Sequence, residues 1–158
     1  MKKRLVPLMM LLLILDLYLK NFAQSHWYGG QGLTVIPGFF TLTYVENTGA
    51  AWSMLEGQRL FFIVLSIAAA VAMIYYYVKE DKLISIIALA LLISGNFGNL
   101  YDRFMYGYVR DMLSFNIFGY AFPVFNLADS YLTIGVILII IDMFLEERGF
   151  IYGKKDNY

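Results

Sequence analysis

The sequence predicts an α-helical membrane protein with a small β element: four transmembrane helices and an extracytoplasmic antiparallel sheet, forming one integral membrane domain over residues 1–158. Three observations lead there. The chain is 60% apolar and only 15% charged, with mean hydropathy +0.64, whereas a globular domain carries roughly 25% charged residues. A body of this size has too little interior to hide that excess. The apolar residues also gather into four stretches long enough to cross ~30 Å of hydrocarbon, which takes ~20 helical residues. Between the first two stretches lie short runs of Thr, Val, Tyr and Phe punctuated by Gly and Pro, the pattern of strands.

The first span covers about residues 5–22, apolar apart from Asp16, Lys20 and a few milder polar groups. Lys2, Lys3 and Arg4 before a Leu/Met run imitate a secretory signal. No small-x-small cleavage site follows and Asp16 interrupts the run, so a retained helix is expected. Residues 23–59 form an outer segment with strand-like runs at 33–38 and 40–45. Trp27, Tyr28, Phe39, Phe40 and Trp52 suit the headgroup level. Gly29, Gly30, Gly32 and Gly38 make that stretch a candidate flap. Residues 60–78 and 83–101 are the second and third spans, each without a charge. A second outer segment, 102–121, leads to a fourth span expected over about 122–145, in an apolar run whose only charge is Asp129. Lys and Arg fall on one side at 2, 3, 4, 79, 82, 148, 154 and 155 and on the other at 20, 59, 103 and 110. The positive-inside bias places both termini in the cytoplasm.

Composition also excludes functions. Twelve basic and twelve acidic residues leave a net charge of zero, without the basic face that nucleic acid requires. There is no cysteine and a single histidine, His26, so no disulfide, thiol nucleophile, metal or cofactor is expected. The metalloprotease, serine-hydrolase and P-loop motifs are all missing from the chain.

Ionisable residues at hydrocarbon depth, costing ~2.5–3.5 kcal/mol each on insertion scales, therefore carry the functional information. Asp142, near the end of the last span, is expected to be solvated at the interface. Asp16 and Lys20, spaced i, i+4, share a helix face, so they can pair as a salt bridge that anchors the helix or contact a ligand directly. Asp102 and Arg103 end the third span as an interfacial cap, and Asn99 shares a face with Arg103, so this pair is open to holding a peptide carbonyl or a lipid headgroup. Gly98 and Gly107 would let backbone donors approach a peptide. Asp129 lies about seven residues into the last apolar run with no base beside it in sequence, and something must compensate its charge. Asp111 sits in a strand-like run, Tyr-Val-Arg-Asp-Met-Leu. If both acids reach one cavity they form a carboxylate pair sharing a proton near neutral pH, one member taking a proton from water and the other polarising a carbonyl. On the residues alone the two acids could equally be unrelated structural aspartates, and two further alternatives stay open. One is an ion or proton relay through Asp16, Asp111 and Asp129. The other is a Ser/Lys hydrolase using Lys20 with Ser53 or Ser130.

Four segments in order resemble the motif set of the lipoprotein signal peptidases, the type II signal peptidases of bacteria. They are Asp16-Leu-Tyr-Leu-Lys20, Asn47-Thr-Gly-Ala-Ala-Trp-Ser53, Gly95-Asn-Phe-Gly-Asn-Leu-Tyr-Asp-Arg103 with Gly107-Tyr-Val-Arg-Asp111, and Phe125-Asn-Leu-Ala-Asp-Ser130. Two positions depart from the pattern: Leu17 stands where Gln is usual and Asn96 where a small apolar residue is common. The resemblance implies a multi-pass aspartic endopeptidase of the bacterial cytoplasmic membrane with its active site at the outer leaflet. Asp111 and Asp129 would be its catalytic dyad. Asn47, Gly49, Asn99, Arg103, Asn126 and Ala128 would line the pocket, and Asp16, Lys20 and Asp102 would brace it. The implied substrate is a prolipoprotein whose cysteine carries a diacylglyceryl group, cleaved on the amino side of that cysteine. Membrane lipid and cyclic peptide inhibitors of the globomycin type would be its other partners.

Overall fold

The computed structural model describes residues 2–30, 32–49 and 54–147. The elements run α1 (Lys2–Trp27), β1 (Leu33–Ile36), β2 (Phe40–Asn47), α2 (Arg59–Lys79), α3 (Leu83–Met105), β3 (Val109–Ile117), β4 (Tyr120–Ala121) and α4 (Leu127–Glu147). All four helices are long and apolar enough to cross a membrane, and the strands form one antiparallel sheet in the order β1-β2-β3-β4.

α3 is the hub, packed against α1, α2 and α4 and buried along most of its length. Half of its buried residues are small: Ser85, Ala88, Ala90, Ser94, Gly95 and Gly98. Between apolar helices in lipid there is little hydrophobic drive, so association relies on close backbone approach, which small residues permit. A Cβ on Gly98 would lie 2.5 Å from Asp16 Oδ2 and 3.1 Å from Ala128 Cβ, and one on Gly135 would lie 2.6 Å from Leu92 Cγ. Gly98 thus serves the meeting of three helices, and the expected approach to a peptide does not apply to it. Gly98→Ala is expected to cost about 1–3 kcal/mol by overpacking. Its apparent melting temperature in detergent should fall, and an unchanged value would contradict this packing. Asn96, one of the departures from the family pattern, donates from Nδ2 to Ser66 O at 2.9 Å and ties α3 to α2. The outer faces of the other helices carry exposed apolar side chains, such as Leu11 and Ile14 on α1, Val64 and Val71 on α2, and Ile137 and Phe144 on α4.

Helix limits differ from the apolar runs in three places. α1 reaches Trp27 rather than stopping at residue 22, because a helix continues past the hydrocarbon wherever its polar residues find partners. α3 continues to Met105, so Asp102 and Arg103 belong to the helix and not to an outer segment. Its last carbonyls are covered by Arg59, whose Nε donates to Arg103 O (2.9 Å) and whose Nη2 donates to Phe104 O (2.8 Å). α4 begins at Leu127, not near Phe122. Pro123 disfavours helical backbone before it, and Phe125 pairs with Leu113 of β3, its N–H donating to Leu113 O at 3.1 Å and its carbonyl accepting from Leu113 N at 2.8 Å.

Asp142 corrects another expectation. It is 3% exposed and accepts a hydrogen bond from Ser85 Oγ, so it is a buried tie between α3 and α4, not an interfacial solvated acid. The segment 29–38, expected to act as a flap, contributes β1 at the edge of the sheet. β2 separates it from β3, and none of its described residues lines the cavity described next.

Candidate active site

Asp111 and Asp129 line one cavity of about 540 Å³. Asp129 arrives there by a helix start. Asn126, the residue before α4, accepts the Asp129 N–H on Oδ1 (2.9 Å), while Asp129 Oδ2 accepts the Asn126 N–H (3.1 Å). This is a reciprocal capping box, with Asn and Asp in the roles usually held by Ser/Thr and Glu. Asp129 therefore occupies the first turn of α4 and is not seven residues deep in a helix. Its compensation is backbone N–H, the positive end of the helix dipole, and the Asn99 side chain, whose Nδ2 donates to Oδ1 at 2.7 Å.

Asp111 arrives by a strand. β3 leaves the end of α3 with Val109, Arg110, Asp111 and Met112 all buried. Successive strand side chains point to opposite faces, so Arg110 and Asp111 diverge. The Arg110 guanidinium forks onto Asp102, with Nη2 to Oδ1 at 2.7 Å, and Arg110 N–H donates to Asp102 Oδ2 at 2.9 Å. Its Nη1 reaches Asn21 and Gln24 of α1, and the group lies over the Tyr106 ring. β3 is thereby clamped to α1 and α3. On its other face the Asp111 carboxylate accepts from Asn47 Nδ2 (3.0 Å) and Asn126 Nδ2 (2.7 Å). Burial first, then the nearby Asp129 charge, pushes the Asp111 carboxyl up to about 7.

Behind the pair stands a buried ionic support. Lys20 Nζ meets Asp16 Oδ2 at 2.8 Å and Asp102 Oδ2 at 3.5 Å, with all three side chains fully buried. It also donates to Asn99 Oδ1 at 3.0 Å. That bond orients the Asn99 amide, leaving its NH₂ to face Asp129. Asp16 Oδ1 in turn accepts the Ala128 N–H at 2.9 Å, a second cap on α4. The i, i+4 pair on α1 thus sets both the start of α4 and the orientation of Asn99. A Lys20/Ser130 dyad has no support in this geometry, since Lys20 points at three oxygens and Ser130 Oγ donates to Asn126 O. Ser53 lies outside the described residues, as do Ala50, Ala51 and Trp52 of the same segment.

Of the residues expected to line the pocket, Asn47, Gly49, Asn99 and Arg103 do so. Arg103 Nη2 donates to Gly49 O (3.2 Å) and its guanidinium lies over the Phe62 ring. The Gly49 N–H donates to Asn47 Oδ1 (3.0 Å), which turns the Asn47 amide toward Asp111. Asn126 and Ala128 sit behind the wall instead. Asn126 is fully buried because it serves both carboxyls, and Ala128 because it packs onto Gly95 and Gly98. Asp102 is also fully buried, not an interfacial cap. Two features escaped sequence reading. One is the Arg110 clamp, which an arginine next to an acid does not announce. The other is the apolar wall of Phe122, Pro123, Val124 and Phe125, which looks like the beginning of a helix until Pro123 is given its weight.

The architecture is that of a bacterial membrane enzyme. It superimposes on one solved by the in meso method at 2.3 Å resolution with a TM-score of 0.87 and 37% identity, over 97% of this chain and 92% of the other. A second such enzyme, solved at 1.9 Å, gives 0.80 and 38%, over 96% and 93%. The chain belongs to the signal peptidase II family, a protease family whose model matches residues 8–145. It is 41% identical over 152 residues to the lipoprotein signal peptidase of Streptococcus thermophilus strain CNRZ 1066, covering 94% of this chain and 98% of the relative. With the lipoprotein signal peptidase of Staphylococcus aureus it shares 43% over 130 residues, covering 81% and 77%.

Proposed function

We propose that this protein is an intramembrane aspartic endopeptidase that removes the signal peptide from diacylglyceryl-modified prolipoproteins, cutting on the amino side of the lipidated cysteine. The observation that carries the reading is the position of Asn126. Its Nδ2 holds Asp111 Oδ1 at 2.7 Å, and its backbone N–H and Oδ1 hold Asp129. One buried residue thus ties together two carboxyls that enter a single cavity from a strand and a helix.

A water between the two carboxyls loses a proton to the ionised member as its oxygen attacks the scissile carbonyl. The protonated member donates to the carbonyl oxygen; as the C–N bond then breaks, the proton taken up passes to the leaving nitrogen and a hydroxyl of the intermediate returns its proton to the other carboxylate. Asn47, Asn99 and Asn126 hold the acids in place. Arg103 and Gly49 border the cavity where the peptide would lie, and Asp16, Lys20 and Asp102 brace it. The apolar wall of Phe122, Val124, Leu132 and Ile134 suits a substrate that keeps its acyl chains in the bilayer. In this reading both termini are cytoplasmic, the sheet and the cavity lie at the outer leaflet of the bacterial cytoplasmic membrane, and cyclic peptides of the globomycin type occupy the same cavity.

Asp111 supplies the pH signature. Its carboxyl titrates at about 7, so it carries its proton at pH 6 and has lost it by pH 8. Because catalysis needs one proton on the pair, kcat/KM is expected to fall with an alkaline limb near pH 7, approaching tenfold per pH unit beyond it. A rate that stays flat to pH 9 on a lipidated substrate would contradict the shared-proton mechanism. The direct test of function is a gel-shift cleavage assay on a purified prolipoprotein, lipidated and unlipidated. Only the lipidated form should release its signal peptide, and cutting of neither form by folded enzyme would overturn the reading.

A further inference from the structure

The turn between β3 and β4 departs twice from what a hairpin in water favours, both times at Phe118. Phe118 and Gly119 take φ of 51° and 88°, the doubly left-handed geometry that follows the twist of the flanking strands and calls for Asn-Gly or Gly-Gly. An L-residue with a bulky side chain is crowded there. Asn116 Oδ1 accepts the Gly119 N–H at 2.8 Å, which supports the turn without relieving Phe118. The Phe118 ring is also fully exposed, and Ile117, Tyr120 and Phe122 beside it are exposed as well. No charged residue occurs from 112 to 128. Backbone strain and a fully exposed ring coincide at Phe118, and such outliers mark sites of interaction.

We propose that the β3–β4 hairpin is a membrane anchor, with Phe118 inserted between Ile117 and Tyr120 into the headgroup–acyl boundary of the leaflet that holds the cavity. The proposal rests on the reading that the helices span a bilayer with the site at its outer face. Continuity of the apolar surface selects lipid as the occupant. From the hairpin the chain passes to Phe122, which shares the cavity wall with Ile134. Ile134, Ile137 and Ile141 then follow on one exposed face of α4 at helical spacing. That face meets acyl chains, and the hairpin joins it along the side of the cavity wall that Phe122, Val124, Leu132 and Ile134 form.

The hairpin is also a stiff lever. Phe40 stacks on Phe115, and Phe115 on Phe125, with ring centroids at 4.5 and 5.7 Å. Strand β3 carries Asp111 at its start and the hairpin at its end. Seating the tip in the leaflet sets the height of Asp111 relative to the bilayer surface, where a lipid-anchored cleavage site is presented.

The test uses the full chain in liposomes. Phe118→Trp is expected to add a blue-shifted emission, over that of wild type, which is quenched more by lipids brominated near the headgroup than by lipids brominated near the chain end. Phe118→Asn places a residue suited to the left-handed turn. In detergent micelles it should unfold at a higher temperature than wild type and cleave substrate at the same rate, whereas in liposomes its turnover should fall several-fold. Emission from the introduced indole at the wavelength of a water-exposed tryptophan, unquenched by either lipid, would overturn the anchor. So would a Phe118→Asn enzyme as active as wild type in liposomes. The quenching needs no catalysis, so a quenched indole in a Phe118→Trp protein whose wild-type parent cleaves nothing would sink the proposed function and leave the anchor standing.

Discussion

Asp111→Asn and Asp129→Asn are each expected to lose ~10²–10⁴-fold or more in turnover of a lipidated prolipoprotein, the range general acid–base catalysis supplies, while remaining folded. For Asp111 the accompanying stability change has a definite sign. The folded-state carboxyl titrates at about 7 against 3.8 for the free group, so between those values the native state binds more protons than the unfolded chain. Native stability therefore declines as pH rises from about 4 to about 7 and stays low above it, a penalty on the order of 4 kcal/mol at pH 8. Asparagine removes that penalty. It also leaves Asn47 or Asn126 one acceptor short, which costs about 1–3 kcal/mol at every pH. The apparent melting curves of Asp111→Asn and wild type should accordingly cross, the variant being the more stable at pH 8 and the less stable at pH 4. Parallel curves would mean that Asp111 is not a buried carboxyl of raised pKa, and retained cleavage would remove it from the dyad.

Lys20→Met is expected to cost about 3–5 kcal/mol, because removing one partner leaves a buried charge uncompensated. Asp102 keeps its Arg110 fork at 2.7 Å, so the group left alone is Asp16, fully buried beneath Gly98. Adding Asp16→Asn should restore much of the loss, since a neutral amide oxygen still accepts the Ala128 N–H that starts α4. The double variant also separates two chemistries. If Lys20 is a brace, the refolded protein cuts lipidated substrate at a measurable rate, reduced by the looser hold on Asn99. If Lys20 is the base of a Ser/Lys pair, the double variant is as stable as hoped and inert. Thermal shift and cleavage on one preparation decide between them.

Much of the site is legible in the chain because its residues are expensive. Asp16, Lys20, Asp111 and Asp129 stand out against apolar surroundings, and each proves to be buried or to line the cavity. Charge in a low-dielectric setting needs a partner, so its presence in the sequence is informative even when the partner is distant. Arg110 illustrates the converse. In a loop between spans an arginine is unremarkable by composition, yet it is 1% exposed and joins β3 to α1 and α3. Asp142 errs in the same direction: its proximity to Glu146 and Glu147 reads as solvent, while Ser85 on another helix encloses it.

The four helices, their apolar exteriors and the two strand-like runs before α2 follow from the chain alone, because hydropathy over ~20 residues and period-two runs are local properties that lipid and backbone hydrogen bonding read directly. The start of α4, the depth of Asp129, the orientation of the Asn99 and Asn126 amides, and the union of Asp111 with Asp129 are settled between elements distant in sequence. The Asp16 cap on Ala128, the Phe125–Leu113 bridge and a lysine on α1 each act across a contact that no local window contains. Those contacts exist because Gly95, Gly98 and Gly135 let α3 and α4 close to backbone distance, where each buried polar group must find its partner on a neighbouring element.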